Sequence, residues 1–123
     1  MPDLSEERVA INDEDRLLRR VIFTDPRYVK PDGSVSSFAF TLRKDEDGLS
    51  VDIERLTTYE KAIQDRTKYR LYALVAEVPR NLGLECIHDP VAGNHAHALI
   101  TGKLTKSISR KLARAVEKVA YPE

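Results

Sequence analysis

Residues 69–78 constrain this chain more than any other stretch. Alternate positions set Leu71, Ala73 and Val75 against Tyr72, Leu74, Ala76 and Val78, so both sides of an extended segment would be apolar. The run is far shorter than the ~20 residues a membrane-spanning helix requires. It reads instead as a strand covered on both faces, placed inside a sheet that carries packed material above and below. At 123 residues, one hydrophobic core is the ordinary way to provide that cover.

The remaining strands read as shorter and less buried. Residues 17–24 form a first strand around the Arg19-Arg20 pair, and the Asp32-Gly33 turn leads to residues 35–42. There Phe38, Phe40 and Leu42 alternate with Ser37, Ala39 and Thr41, which is strand periodicity. Leu49, Val51 and Ile53 repeat it. Residues 84–88 make a short strand stopped by Asp89-Pro90, and residues 95–101 make another after the Gly93-Asn94 turn.

Two main helices are predicted. Thr57 and Glu60 have the spacing of a capping box, with Tyr59, Ala62 and Ile63 as the apolar stripe of a helix reaching Arg66. Ile108, Leu112, Ala115, Val116 and Val119 recur as the core-facing stripe of a C-terminal helix. Pro79 ends the buried strand and opens one helical turn over residues 79–83. Strands and helices do not alternate regularly, so the fold class is α+β. The expected form is a mixed, largely antiparallel sheet of five or six strands with two main helices, the last at the C-terminus. Residues 1–15, acidic and poor in apolar positions, read as a loosely ordered arm before a single domain over 16–123.

Twenty basic and twenty acidic side chains cancel, which removes bulk electrostatic attraction to nucleic acid. Their distribution is uneven. Asp3, Glu6, Glu7, Asp13, Glu14 and Asp15 crowd the start, whereas Lys103, Lys106, Arg110, Lys111, Arg114 and Lys118 crowd the last quarter. Segregation of this kind favours steered association with a protein partner. Cys86 is the single cysteine, so no intramolecular disulfide forms, and its strand context marks a core residue. No basic, apolar leader opens the sequence, and the expected location is cytoplasmic.

His88, His95 and His97 carry the first candidate chemistry. If residues 95–101 are extended, His95 and His97 project from one face, as a base with its orienting group or as two metal ligands. A zinc site needs a third protein ligand, which Asp89 or Cys86 would have to supply, and no metal ligands are assigned. Arg19 and Arg20 form a second constellation with Ser36 and Ser37: one arginine must face inward, where it binds a phosphate-like group or pairs with Asp52 or Glu54. Gly102-Lys103 lacks the spacing of a phosphate loop. Lys103, Lys106 and Arg110 remain as anion-binding candidates at the start of the last helix. Gly-rich dinucleotide loops and nucleophile elbows are absent from the sequence, and no cofactor is assigned.

The stretches Leu17-Leu18-Arg19-Arg20, Ser36-Ser37-Phe38-Ala39-Phe40, Leu49-Ser50-Val51-Asp52, Asp89-Pro90 and His97-Ala98-Leu99-Ile100, in that order, resemble those of a group of small bacterial proteins. The likeness spans residues 17–115 and implies a bacterial stand-alone domain, without functional residues. The chain also resembles ADP-ribosyltransferase-like domains. That likeness implies dinucleotide binding by Arg19 or Arg20 with Ser36 or Ser37, and Glu54 or Glu85 in the place of the catalytic acid. The chain is short for such a domain.

No complete catalytic constellation is visible, so the leading expectation is a non-catalytic binding or accessory module with a protein partner. An enzyme acting on a nucleotide or phosphate ester would require Arg19 or Arg20 to converge with His95 or His97. Nucleic-acid binding would use the basic face of the last helix.

Overall fold

A computed structural model describes residues 8–120. Six strands form one sheet: β1 (Arg16–Ile22), β2 (Leu49–Ile53), β3 (Tyr69–Val75), β4 (Glu85–His88), β5 (His97–Thr101) and β6 (Glu117–Lys118). Their order is β4-β5-β2-β1-β3-β6, and each pairing is antiparallel. The α+β class holds, with no parallel pair among the described residues. Three α-helices complete the fold: α1 (Tyr59–Ile63), α2 (Glu77–Asn81) and α3 (Lys106–Ala115).

β3 is buried on both faces, as its composition demands. Leu71 and Ala73 pack with Leu18, Ala62 and Ile63 beneath α1. Tyr72 and Leu74 belong to the larger core on the opposite face, with Leu17, Val21, Phe40 and Leu112. Gly48 lets the turn before β2 lie close to β5, since a Cβ there would stand 2.9 Å from the Ile100 carbonyl oxygen.

Several segments depart from the sequence expectation. Residues 35–42 do not form a strand; Ser37–Phe40 is a 3-10 helix. It pairs with no strand: β3 takes one side of β1 along its whole length, and β2 takes the other at Leu17 and Leu18. Its polar groups are satisfied otherwise: Ser36 Oγ accepts from the Phe38 N–H, Arg19 Nε donates to the Ala39 carbonyl, and Ser109 Oγ donates to the Phe40 carbonyl. The buried strand stops at Val75, and α2 takes up Pro79 in its first turn, where no intrahelical N–H donor is needed. Thr58, not Thr57, caps α1, and the helix ends before Gln64, which adopts φ 64°.

The last helix ends at Ala115, not near Val119. Val116 turns extended and Glu117–Lys118 pair with the outer edge of β3, whose Leu71 carbonyl accepts from the Val119 N–H at 2.9 Å. Val116 packs on the α3 side and Val119 on the α1 side. Their odd spacing serves opposite faces of an extended chain, a pattern that also fits a helical stripe in the sequence.

Of the expected loose arm, residues 1–7 lie outside the described residues. Residues 9–15 are tied down, which corrects the expectation for that part. Ile11 is buried, Asp13 pairs with Arg80 at 2.7 Å and Asp15 with Arg55 at 2.8 Å. The Asp15 and Asp13 carbonyls accept from the Ala76 and Glu77 N–H groups. Local composition could not show that two distant arginines neutralise this segment.

Arg55, bonded to the Asp15 carboxylate, holds that group below its ordinary pKa against the opposing effect of burial, with the Asn12 N–H assisting. A carboxyl whose pKa is lower folded than unfolded adds stability above the unfolded value, about 3.9, and that stability is lost as pH falls through the folded value. Acidification below about pH 4 is therefore expected to loosen residues 9–15, read as lost hydrogen-exchange protection at the Ala76 amide. Asp15→Asn should flatten this acid limb; an unaltered limb would remove Asp15 as its source.

Candidate functional site

The pairing of β1 shows where the sheet opens. Against β3 it runs in register from Arg16↔Val75 to Ile22↔Tyr69, but against β2 only Leu17↔Ile53 and Leu18↔Asp52 are paired. Beyond Leu18 the two strands separate, and the next two residues are Arg19 and Arg20. Successive side chains of a strand leave opposite faces, so the arginines flank the fork from its two sides.

Arg20 is used structurally. On the α1 face its Nη1 donates to the Ala62 carbonyl at 2.6 Å and lies 3.7 Å from Asp52 Oδ2, and its guanidinium rests over the Tyr69 ring. Asp52, itself buried, also accepts from Asn94 Nδ2 at 2.8 Å. The arginine–Asp52 pairing is the one the sequence offered, and Glu54 pairs instead with Arg16 at 3.0 Å.

Arg19 is placed differently. On the α3 face, half-buried above the Phe40 ring, its Nε donates to the Ala39 carbonyl and its Nη1 to the Ser50 carbonyl, at 2.7 and 2.8 Å. Those bonds span the fork and fix the guanidinium. No carboxylate among the described residues lies within 4.0 Å of it, and Glu46 acts on it only from longer range. Burial lowers its pKa to about 10, so it stays charged at neutral pH.

Besides a narrow cavity in the fork, two wider surface cavities open onto Arg19. One, of about 220 Å³, lies toward Arg20, Tyr28, Arg43 and Tyr69. The other, of about 310 Å³, is walled by Tyr28, Phe38, Arg43 and Glu46. The 25–36 loop builds that wall. The Gly33 turn at φ 88° and the Val29↔Val35 bridge fold it back, and the Ser36 N–H donates to the Tyr28 carbonyl. Tyr28 and Phe38 thus come to 5.0 Å between ring centroids, with Phe38 44% exposed. Arg43 Nη2 reaches Tyr28 Oη at 3.5 Å, and Arg27 lies over both rings while bound to Asp25.

The histidine pair does not survive folding as a pair. β5 begins at His97, so His95 lies in the preceding turn, exposed, with its ring against that of His88 at 5.1 Å. The reason is Asn94: its side-chain oxygen accepts from the Ala96 N–H and its carbonyl from the His97 N–H, so residues 94–96 turn before the strand starts. His97 does reach the arginines. It lines a narrow cavity of about 80 Å³ in the fork with Arg19, Arg20 and Asp52, while its Nδ1 meets the Asp89 carbonyl at 2.9 Å and carboxylate at 3.3 Å.

His88 is buried and purely structural, accepting from the Val9 N–H at Nδ1 and bonding the His95 carbonyl through Nε2. Ser36 is spent as the cap of the 3-10 helix. Lys103, Lys106 and Arg110 are exposed at the start of α3, where Thr105 already caps the Ile108 N–H, and they meet none of the cavities around Arg19. Cys86 is half-buried and burial raises its thiol pKa, which leaves it protonated and unreactive at neutral pH. No group of three or more His, Cys, Asp or Glu side chains suited to a metal ion occurs among the described residues.

Sequence reasoning missed Tyr28, Phe38 and Arg43. They sit in segments read as a turn, a strand and a loop, and only the neighbouring Arg27-Tyr28 pair hinted at stacking of cation on ring. A larger cavity, about 480 Å³, opens between Tyr59, Arg70 and Lys118, away from every candidate. The fold and site therefore define an antiparallel α+β domain with an arginine-bearing cleft. No family model matches the chain, and neither a curated protein nor a solved structure matches it. No helix among the described residues is long and apolar enough to cross a membrane.

Proposed function

We propose that this chain is a non-catalytic binding module of a bacterial cytoplasm that captures a protein partner through the cleft around Arg19 and Arg43. One observation carries the reading. Arg19 is a half-buried guanidinium fixed by two carbonyls, without a carboxylate in ion-pair range among the described residues, and it opens onto two cavities. A desolvated charge is costly unless compensated. An anionic group of a partner supplies that compensation.

Phosphate-ester chemistry has one observation in its favour, the convergence of His97 with Arg19, Arg20 and Asp52. It ranks second because that cavity, about 80 Å³, is far below the ~300 Å³ at which small-molecule pockets begin. His97 is moreover held by Asp89, and Arg20 by Asp52.

The test is quantitative capture of the partner by wild type and by Arg43→Glu. Arg43 is exposed, so reversing its charge should leave the fold intact by circular dichroism. Affinity should fall at least about tenfold, equivalent to roughly 1.4 kcal/mol. Equal capture by both proteins would remove the reading.

A further inference from the structure

We propose that the anion taken by this cleft is a phosphoryl group, carried as a monoester and held between Arg19 and Arg43. The inference rests on the binding reading above and names its ligand chemistry.

The arginines and the tyrosine of the cleft have donors to spare. Arg19 commits Nε and one Nη1 proton to the Ala39 and Ser50 carbonyls, and its Nη2 makes no bond to a described residue. Arg43 has one long side-chain contact, from Nη2 to Tyr28 Oη at 3.5 Å. Because Tyr28 Oη accepts in that contact, its own proton stays available to donate. The one carboxylate of the cleft, Glu46, is bound to the Arg43 backbone N–H at 2.8 Å through Oε1. It acts on both guanidinium groups without pairing with either, and Asp45 acts on Arg43 as well.

Two guanidinium forks and a hydroxyl proton call for a ligand that accepts in several directions. A phosphate monoester has three terminal oxygens and about −1.5 to −2 charge at neutral pH. A carboxylate has two coplanar oxygens and a single charge, and one fork satisfies it. Arg19 is also pre-set: its two carbonyl bonds and the Phe40 ring below fix its plane before any ligand arrives, which lowers the entropy lost on binding. Beside these donors the Tyr28 and Phe38 rings offer an apolar wall for the carbon part of the ester, in a cavity of about 310 Å³. That volume suits a phosphorylated side chain, the source the binding reading favours, or the phosphate end of a free nucleotide.

The test is a titration followed by amide chemical shifts, with the peptide Gly-pTyr-Gly, its unphosphorylated twin, adenosine monophosphate and inorganic phosphate as probes. The phosphopeptide should shift residues 28, 38 and 43 with at least tenfold higher affinity than its twin. The effect should be lost in Arg43→Met and in Arg19→Met, with the shifts of unperturbed residues reporting an intact fold; Arg43→Met at its exposed position keeps the test valid if Arg19→Met fails to fold. Binding of the monophosphate in place of the peptide supports the phosphoryl assignment and moves its source to free nucleotides. Millimolar phosphorylated probes that shift nothing, or shift wild type and Arg43→Met alike, overturn it. If partner capture still fails in Arg43→Glu under that outcome, the binding reading stands without a phosphoryl ligand. If capture is also unchanged, both fall.

Discussion

Phe40→Ala is expected to cost about 3–5 kcal/mol of folding stability, the usual range for truncating a fully buried phenylalanine. Phe40 has no exposed surface, sits in the larger core with Leu17, Leu112 and Ile100, and closes the 3-10 helix that β1 and β2 leave outside the sheet. Truncation would leave a cavity beneath α3 and remove the ring under the Arg19 guanidinium, 5.6 Å from its centroid. The urea midpoint should fall by roughly 2 M, given a dependence of about 1–3 kcal/mol per molar. Phe40→Leu, which retains most of the volume, should lose far less. Similar midpoints for the two variants would show that the ring is not the keystone of this face. Since Arg19 stands on Phe40, the leucine variant should also weaken partner capture more than its stability loss accounts for.

His88→Phe should have the second largest effect, about 2–4 kcal/mol, because each unsatisfied buried partner costs about 1–3 kcal/mol. The substitution keeps a ring of similar size and deletes only the polar atoms. It strands the Val9 N–H, now 2.8 Å from Nδ1, and the His95 carbonyl, now 2.7 Å from Nε2. The N–H of Val9 identifies Nδ1 as the acceptor and hence Nε2 as the protonated nitrogen. One buried side chain thus joins the N-terminal segment, the end of β4 and the turn before β5. The consequence is local first: amides of residues 9–11 should lose hydrogen-exchange protection, while those of β1 and β3 keep theirs. Uniform loss across the sheet would mean that His88 supports the whole core and not this junction.

How legible the candidate site was depended on its parts. The Arg19-Arg20 pair could be read as cations on opposite faces, and Asp52 as a carboxylate across the sheet, because strand periodicity fixes which side chains share a face; the expectation that one of the two faces solvent does not hold, since both are half-buried. The fork between β1 and β2 was not legible. It arises where pairing stops after Leu18↔Asp52, a matter of register between segments thirty residues apart. His95 was misplaced for a similar reason. Alternation continues into residues 95–96, but the side-chain and backbone oxygens of Asn94 close a turn there and start the strand two residues later.

By itself the sequence determined the α+β class, the doubly covered strand around Leu71–Leu74, the Asp32-Gly33 turn and the start of the last helix. Each follows from local propensity or from a period visible within a few residues. The tertiary structure decided what competition between segments decides. Residues 35–42 gave up strand pairing for a 3-10 helix whose carbonyls are taken by the distant Arg19 and Ser109 side chains. With the outer edge of β3 open, the end of the C-terminal stripe paired with it as β6. Distant arginines turned an acidic arm into a docked segment. The cleft belongs to this second group: Arg19, Tyr28, Phe38 and Arg43 come from four separate segments that only the folded chain brings together.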